Sequence, residues 1–371
     1  MAASPAPSTS SSTPPRLVSL DAFRGLTIAA MILVNNPGSW SAVYWPLDHA
    51  HWNGWTPTDL VFPFFLFVVG MALPFSRRIT AGQALQRAAV LFGLGVFMAA
   101  YPRFDLSTVR IPGVLQRIAL CYLAAWAARR VLGVRGQATL AAVLCALYWV
   151  LLTCVPVPGV GHASLEPDAN LGAWLDRLLL PGHLWRQSRT WDPEGLLGTL
   201  PAIATTLLGC VAGSWVRSER TGSARTAGLL GAGLALVLAG LAWDGWFPIN
   251  KSLWTSSYVL FTAGMAAYLF GLVYWIADVR GHAAWARPFV AYGRNAILVF
   301  VASGLLLKTL ILIKVPGAGG ASLSLQAYVH RTLFGSWLSP YPASLLHALA
   351  HVVAWGALCW VLDRRRVYLT V

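Results

Sequence analysis

One segment places side chains that could carry out chemistry directly before a strongly apolar run. The stretch LDHAHWNGWTPTDLVFPFFLFVVGMAL, residues 47–73, brings Asp48, His49 and His51 together. A neutral imidazole beside a carboxylate is the ordinary general base near pH 7. The segment therefore predicts acid–base chemistry at the mouth of a hydrophobic region.

Two other interpretations of this segment stay open on the residues alone. Asp48, His49 and His51 could hold a metal ion, but two histidines at positions i and i+2 are a weak signal without a distant third ligand. The histidines could also be structural, hydrogen-bonded at a membrane interface beside Trp52 and Trp55. Catalysis is the favoured interpretation.

The composition indicates a membrane protein. The chain has 371 residues, of which 57% are hydrophobic and 11% charged, and it carries 18 tryptophans, a balance that would not keep a soluble domain dispersed. A bilayer core of about 30 Å takes roughly 20 apolar residues per helix. The sequence therefore predicts an all-α polytopic bundle of about ten transmembrane helices, of which the long ninth is expected to tilt or break. The predicted segments are 17–36, 57–76, 84–101, 111–132, 137–156, 194–216, 225–243, 252–276, 288–314 and 342–363.

The composition of the N-terminal segment predicts a disordered tail, and the distribution of charge predicts the orientation of the chain in the membrane. Residues 1–15 are too rich in Ser, Pro and Ala to fold and are expected to be a disordered tail, followed by a single transmembrane domain over 16–371. If the N-terminus is inside, the inner loops, which include Arg16, Arg77 and Arg78, carry more Lys and Arg than the outer loops. The positive-inside rule then places both termini in the cytoplasm. The net charge of +14 needs no nucleic acid to explain it.

Three outer connections are long and rich in aromatic residues. They cover residues 37–56, 157–193 and 315–341. We expect whatever the protein handles on the outside to meet these loops.

Ionisable residues also fall inside predicted helices. Such a residue costs about 2.5–3.5 kcal/mol at a helix centre and usually faces a cavity or a partner. An ion pair or a snorkelling side chain explains these residues as well as a functional role does, with Asp21 and Asp59 as the obvious partners. The basic members are Arg24, Arg117, Arg294 and Lys308.

Amide and hydroxyl side chains add to this polar content. They cluster at Asn35 and Asn36, at Gln116, in FPINKSLWTSSY (247–258) and in YGRNA (292–296). Because unsatisfied polar groups are expensive in lipid, the bundle is expected to have a polar, wet interior.

Six motifs in chain order are similar to those of one family. Together, from about Leu17 to about Phe300, they resemble the heparan-alpha-glucosaminide N-acetyltransferase family of transmembrane acyltransferases, and the chain is similar in size to the bacterial NagX-like proteins. The motifs are LDAFRGLTIAAMILVNN, HAHWNGWTPTDLVFPFFLFVVG, RIPGVLQRIALCY, DPEGLLGTLPAIATTLLG, FPINKSLWTSSYVLFTAG and YGRNAILVF.

The resemblance implies a transmembrane N-acetyltransferase. The family draws an acetyl group from cytosolic acetyl-CoA and transfers it across the membrane to the amine of a terminal glucosamine. For this chain the resemblance implies acetyl-CoA as co-substrate, a glucosamine-type acceptor on the periplasmic side of a bacterial inner membrane, and a homodimer surrounded by membrane lipid. It implies no metal and no nucleic-acid partner.

The resemblance also selects catalytic residues. The family's H-A-x-W-N-G motif is matched by His49 and the residues that follow it, so the active-site histidine is His49 and not His51. The family's V-N asparagine matches Asn35. We expect His49 to take the proton of the attacking amine, Asp48 or another acid to steady the imidazolium, and Asn35 to donate to the thioester oxygen.

Further residues are expected to bind the two substrates. Arg24, in the family's FRG motif, and Arg294 are the candidates for the CoA phosphates, because Arg binds phosphate bidentately. The loop that holds His49 must then dip into the bilayer to meet the thioester. The remaining candidates are Asp21, Gln116, Arg117 and Asn295 for CoA, and Trp52, Asn53, Asp59, Asn250, Lys251, Trp254 and Tyr258 for the acceptor.

Three other functions compete with this one. A polar-lined bundle with aromatic outer loops could be an amino-sugar or N-acetylglucosamine transporter, although the inverted repeats common in transporters are not clear. Acyltransferases of the LDGLRG type share the leading Asp and Arg but place a histidine early in the first helix. A purely structural membrane protein would leave the internal basic residues without a reason.

Overall fold

The computed structural model describes residues 17–76, 79–316 and 322–368. The predicted tail, 1–15, and the inner-loop arginines Arg16, Arg77 and Arg78 lie outside the described residues. Predictions about them stay predictions.

Long helices dominate the described residues and confirm the all-α polytopic class. One short antiparallel pair, β1 (Lys314–Pro316) with β2 (Ser322–Ser324), accompanies them. The helices are α1 (Val18–Asn35), α2 (Val61–Ala72), α3 (Ala81–Ala100), α4 (Val114–Val131), α5 (Val134–Cys154), α6 (Leu171–Leu179), α7 (Thr199–Val216), α8 (Gly222–Asp244), α9 (Ser256–Tyr274), α10 (Arg287–Arg294), α11 (Ala296–Leu312), α12 (Leu325–Leu333) and α13 (Pro340–Arg364).

The count of apolar spans is lower than the predicted ten. Among the described residues, eight segments are long and apolar enough to cross a membrane, or nine if a bent pair is one span. That pair is the predicted ninth segment, which breaks by 68° between α10 and α11. The predicted fourth segment is a helix, α4, but falls outside this set because it carries Gln116, Arg117, Arg129 and Arg130.

Glycines bring the helices that flank the His49 loop close to their neighbours. A Cβ atom on Gly25 of α1 would lie 1.8 Å from the Phe289 carbonyl oxygen of α10. A Cβ atom on Gly70 of α2 would lie 1.9 Å from the Thr206 carbonyl oxygen of α7. Small residues permit such close backbone contacts between helices in a membrane. The frame around the loop is therefore tightly packed.

The two described ends of the chain lie at one end of the bundle. Arg294 of α10 is 2.8 Å from the Asp363 carboxylate of α13 and 4.0 Å from that of Asp21, in the first turn of α1. His49 follows the opposite end of α1, whose 18 residues span about 27 Å at 1.5 Å per residue. His49 and Arg294 therefore stand at opposite ends of the bundle.

The three long loops meet at the His49 end. The Trp52 indole donates to the Leu165 carbonyl oxygen at 3.1 Å and packs edge-on against Trp191, with ring centroids 5.1 Å apart. Gln326 of α12 donates to the carbonyl oxygens of Pro37 and Gly38, at 3.4 and 3.3 Å. The loops thus form one layer over this end of the bundle.

Candidate active site

Two one-turn helices hold the loop that carries His49. A 3₁₀ turn, Trp45–Leu47, precedes Asp48, and a second, Pro57–Leu60, leads into α2. Thr56 caps the second turn in a capping box with Asp59, whose Oδ2 accepts from the Thr56 backbone N–H at 2.9 Å. The local sequence T-P-T-D therefore fixes the Asp59 carboxylate at the start of α2.

The Asp59 carboxylate contacts the imidazole of His49. The distance between His49 Nδ1 and Asp59 Oδ1 is 2.7 Å, while Asp59 Oδ2 accepts from the Ala50 backbone N–H at 3.1 Å. The Asp59 side chain is 1% exposed and that of His49 is 47% exposed. A buried acid thus orients an accessible imidazole, as in other catalytic His–Asp pairs.

Asp48 does not play this part in the structure. Its Oδ1 accepts from the His49 backbone N–H at 2.8 Å, so the carboxylate turns toward the chain. Neighbouring side chains in an extended segment point to opposite sides. The acid beside the imidazole is therefore Asp59, ten residues away, which the sequence had placed among the acceptor-binding candidates.

Lys251 completes a three-residue cluster. Its Nζ lies 3.0 Å from Nδ1 and 3.2 Å from Nε2 of His49, and 3.5 Å from Asp59 Oδ1. Burial lowers the pKa of the Lys251 ammonium, and the charges of Asp59 and Glu194 oppose that effect. The cluster therefore places an acid and a cation against one imidazole.

The loop that carries Lys251 is tied to the His49 loop. Asn250 Nδ2 donates to Asn53 Oδ1 at 3.1 Å, and the Gly54 backbone N–H donates to the Ile249 carbonyl oxygen at 2.7 Å. Asn250 is fully buried and its Oδ1 accepts from the Leu253 backbone N–H at 2.8 Å. Asn53 and Asn250 thus join the two loops.

The His49 cluster opens into a cavity of about 610 Å³, here called the histidine cavity. Asn35, at the end of α1, lines the same cavity as His49 and Lys251. Its walls come from α1, α2, α4 and α11, and the loop layer adds Trp52 and Trp191. This volume suits a small ligand with one apolar side.

A second cavity, of about 270 Å³, lies toward the opposite end of the bundle and is here called the arginine cavity. Arg24, Arg87 and Arg294 line it, together with Tyr122, whose buried hydroxyl has no hydrogen-bond partner among the described residues. The two cavities lie back to back, because the same apolar side chains line both. These are Phe65, Leu115, Ile118 and Ile297, here called the junction.

Asp21 stands beneath the arginine cavity. Its carboxylate is 3.4 Å from Arg24 Nη1 and 4.0 Å from Arg294 Nε. Arg24 also donates to the Gly293 carbonyl oxygen at 3.4 Å, and Arg294 pairs with Asp363. The acids hold both guanidinium groups in place at the edge of the cavity.

Three other CoA candidates lie away from both cavities. Arg117 is 2% exposed, donates to the Gly195 carbonyl oxygen at 3.0 Å and lies 5.1 Å from the Trp254 ring centroid. Gln116 is buried and bonds the Ile111 carbonyl oxygen at 3.0 Å. Asn295 is buried at the break between α10 and α11. Their predicted contacts with CoA stay predictions.

Two acceptor candidates support the site from behind. The Tyr258 hydroxyl donates to the Asp59 carbonyl oxygen at 2.5 Å, and the Trp254 indole donates to Thr205 at 3.2 Å. Both aromatic side chains are almost fully buried. Tyr258 thus holds the backbone of Asp59, and neither aromatic side chain is among the lining residues of the cavity into which His49 opens.

An ion-pair network in the histidine cavity was not singled out by the sequence. Arg110 Nε donates to Asp192 Oδ2 at 2.8 Å, and its Nη2 contacts Glu194. Burial alone would lower the pKa of Arg110, but the two carboxylates raise it. In the sequence, Arg110 stood out only as the first residue of the motif RIPGVLQRIALCY. Its signal is the pairing of RIPG with DPEG, two oppositely charged outer-loop motifs.

Comparison with known proteins gives the family that the chain resembles. A family model described as "Heparan-alpha-glucosaminide N-acetyltransferase, catalytic" matches residues 16–240. The human heparan-alpha-glucosaminide N-acetyltransferase is 31% identical over 363 residues, covering 78% of this chain and 53% of its own length. The mouse protein of the same name is 30% identical over 362 residues, covering 80% and 54%. The chain thus spans about half the length of the curated relatives it matches.

Proposed function

Because the chain belongs to the heparan-alpha-glucosaminide N-acetyltransferase family, we propose that it moves an acetyl group from acetyl-CoA to the amine of a glucosamine-type sugar at the opposite end of the bundle. The observation that carries this proposal is the arrangement of the two cavities. A His–Asp pair opens into one, arginines line the other, and only the junction lies between them.

The arginine cavity suits the nucleotide end of acetyl-CoA. Arg24 and Arg294 present guanidinium groups held by acids, and Arg87 adds a third cation. Arginine binds phosphate oxygens through paired N–H groups. We place the phosphates here, on the cytoplasmic side that the positive-inside rule predicts, and the pantetheine arm across the junction toward His49.

The junction is apolar and is closed in this structure. Phe65 and Ile297 come from α2 and α11, and Leu115 and Ile118 from α4. A pantetheine arm can cross only if these side chains change rotamer, because interiors are close-packed. The apolar wall also keeps water and ions from following the arm between the two cavities.

The chemistry at the other end is a general-base acyl transfer. Nδ1–H of His49 donates to Asp59, so Nε2 carries the lone pair, which the sugar amine must reach in place of the Lys251 ammonium 3.2 Å away. Nε2 removes a proton as the sugar nitrogen attacks the thioester carbonyl carbon. The C–S bond then breaks, the imidazolium returns the proton to the sulfur, and the products are an amide and CoA–SH. Such a base contributes about 10²–10⁴-fold.

Two groups can stabilise the oxygen anion that forms during the attack. The Asn35 amide lines the same cavity as His49, and the Lys251 ammonium lies 3.2 Å from Nε2. One oxyanion donor is worth about 10²–10³-fold. We assign this part to Asn35, and we assign to Lys251 the tuning of the imidazole.

The test is a sided assay. Purified protein is reconstituted in sealed vesicles with acetyl-CoA on one side only and glucosamine on the other, and the products on each side are measured by mass spectrometry. We expect N-acetylglucosamine on the glucosamine side. Movement of unmodified glucosamine across the membrane without acetyl-CoA would instead identify a transporter and contradict the proposal.

A further inference from the structure

A third cavity opens sideways beside the active site. This groove has a volume of about 750 Å³ and lies between the ends of α3 and α11 and the start of α4. Arg110, Val114, Leu115, Trp185 and Phe300 line both it and the histidine cavity. The groove therefore lies directly beside the cavity that holds His49.

The walls of the groove are apolar and stay exposed. Met98 of α3 and Phe300, Ile311 and Leu312 of α11 line it, and the last two are 46% and 45% exposed. Next to it, Leu106 is 72% exposed. A surface of this kind on a membrane bundle faces lipid chains at no cost.

A lysine in the lining of the groove joins its two walls. Lys308 of α11 donates to the carbonyl oxygens of Met98 and Tyr101, at the end of α3. The Tyr101 hydroxyl is 2.7 Å from Thr309 Oγ1. These bonds hold α3 against α11 beside the groove.

The rim of the groove is basic. Arg103 and Arg186 are exposed there, and the Asp105 carboxylate is close enough to Arg186 for their charges to interact. The one acid in the lining is Asp105, which accepts hydrogen bonds from Ser107 and from Thr108. Its charge offsets only part of the positive charge at the rim.

An apolar slot with a cationic rim is complementary to an anionic amphiphile. Arginine binds phosphate oxygens, and exposed basic residues near a membrane surface attract anionic headgroups. We propose that the acceptor is a lipid-linked amino sugar, with its chain in the groove, its phosphate at Arg103 and Arg186, and its sugar amine at His49. This inference rests on the proposed function and names the class of its acceptor.

The test compares three acceptors of one sugar in nanodiscs. They are glucosamine 1-phosphate esterified to a C20 isoprenoid alcohol, dodecyl glucosaminide, and free glucosamine. The variant is Arg103→Gln with Arg186→Gln, and the matched control is Lys314→Gln with Arg331→Gln, two exposed cations that do not line the groove. KM ratios between variant and wild type cancel the partitioning of each acceptor into lipid.

We expect the groove variant to raise KM for the phosphate-linked lipid by roughly tenfold, with less than a twofold change for free glucosamine and for dodecyl glucosaminide. The control variant should leave all three values unchanged. Equal effects of the two variants, or none from the groove variant, would overturn the inference. Wild-type acetylation of free glucosamine but not of the phosphate-linked lipid would overturn it and leave the proposed function standing. If no acceptor is acetylated, both fall together.

Discussion

The two ends of the bundle differ in how their charged groups are arranged. At one end, Asp59 orients His49 at 2.7 Å, beside the Lys251 ammonium. At the other, acids hold Arg24 and Arg294 at the edge of a smaller cavity. The first set contains an imidazole that can accept a proton, whereas the second consists of arginines paired with acids. Under the proposed function, the first end carries out the chemistry and the second binds the nucleotide.

Removing the His49 imidazole is the most direct test of this difference between the two ends. His49→Ala should lower kcat by about 10²–10⁴-fold, because the base is lost. Acetyl-CoA binding, measured by the ligand-dependent rise in thermal stability of the detergent-solubilised protein, should stay unchanged. His51→Ala is the matched control and should keep wild-type turnover. An active His49→Ala protein would show that the acetyl transfer does not depend on the imidazole at this end of the bundle.

The acid behind the imidazole gives the next effect. Asp59→Asn should lower kcat by about 10²-fold, because an amide no longer fixes the tautomer or stabilises the imidazolium. Asp48→Asn should change kcat by less than threefold, since the Asp48 carboxylate accepts from the backbone N–H of His49 and not from its imidazole. The steady-state kcat of each purified variant shows which of the two acids supports His49. The reverse order of effects would restore Asp48 as the partner.

At the anchoring end, the expected change is in binding. Arg24→Gln should raise KM for acetyl-CoA by about tenfold, the lower end of the range for a hydrogen bond to a charged group, and leave kcat near the wild-type value. Arg280→Gln, which removes a cation stacked on Trp275, is the control. A fall in kcat at saturating acetyl-CoA would place Arg24 in the chemistry instead.

The smallest effect concerns pH. Burial lowers the pKa of the Lys251 ammonium, so the positive charge beside His49 is present below that pKa and is lost as the pH rises through it. The wild-type kcat/KM profile should therefore change on its alkaline side, at a lower pH than an exposed lysine would give, and Lys251→Gln should lack that change. The same alkaline change in both proteins would show that Lys251 does not act on His49.

Local signals in the sequence were enough for much of the fold. Apolar runs of helical length predicted the long helices, and the length of the ninth run anticipated the 68° break. The fourth run also predicted a helix, α4, although its polar residues keep it out of the set of apolar spans. Hydropathy measures the residues of one helix, whereas the burial of Gln116 and Arg117 depends on its neighbours.

The candidate site divides in the same way. The H-A-x-W-N-G motif was enough to single out His49, because its residues are contiguous. The motif was not enough to identify the acid that contacts His49. The turn at Pro57–Leu60 brings Asp59, ten residues further along the chain, to the imidazole, whereas the carboxylate of Asp48, the nearer acid in the sequence, turns away. Arg110 and its two acids were missed for the same reason, since 82 residues separate Arg110 from Asp192.

The sequence by itself determined the class of fold, the helices and the residue types available for chemistry, because these depend on composition and short-range spacing. The tertiary structure alone decided which acid meets the imidazole, that Lys251 joins them from a distant loop, and that two cavities share one apolar junction. The physical reason is that charge pairs and cavities form between helices whose packing is set by contacts far apart in the chain.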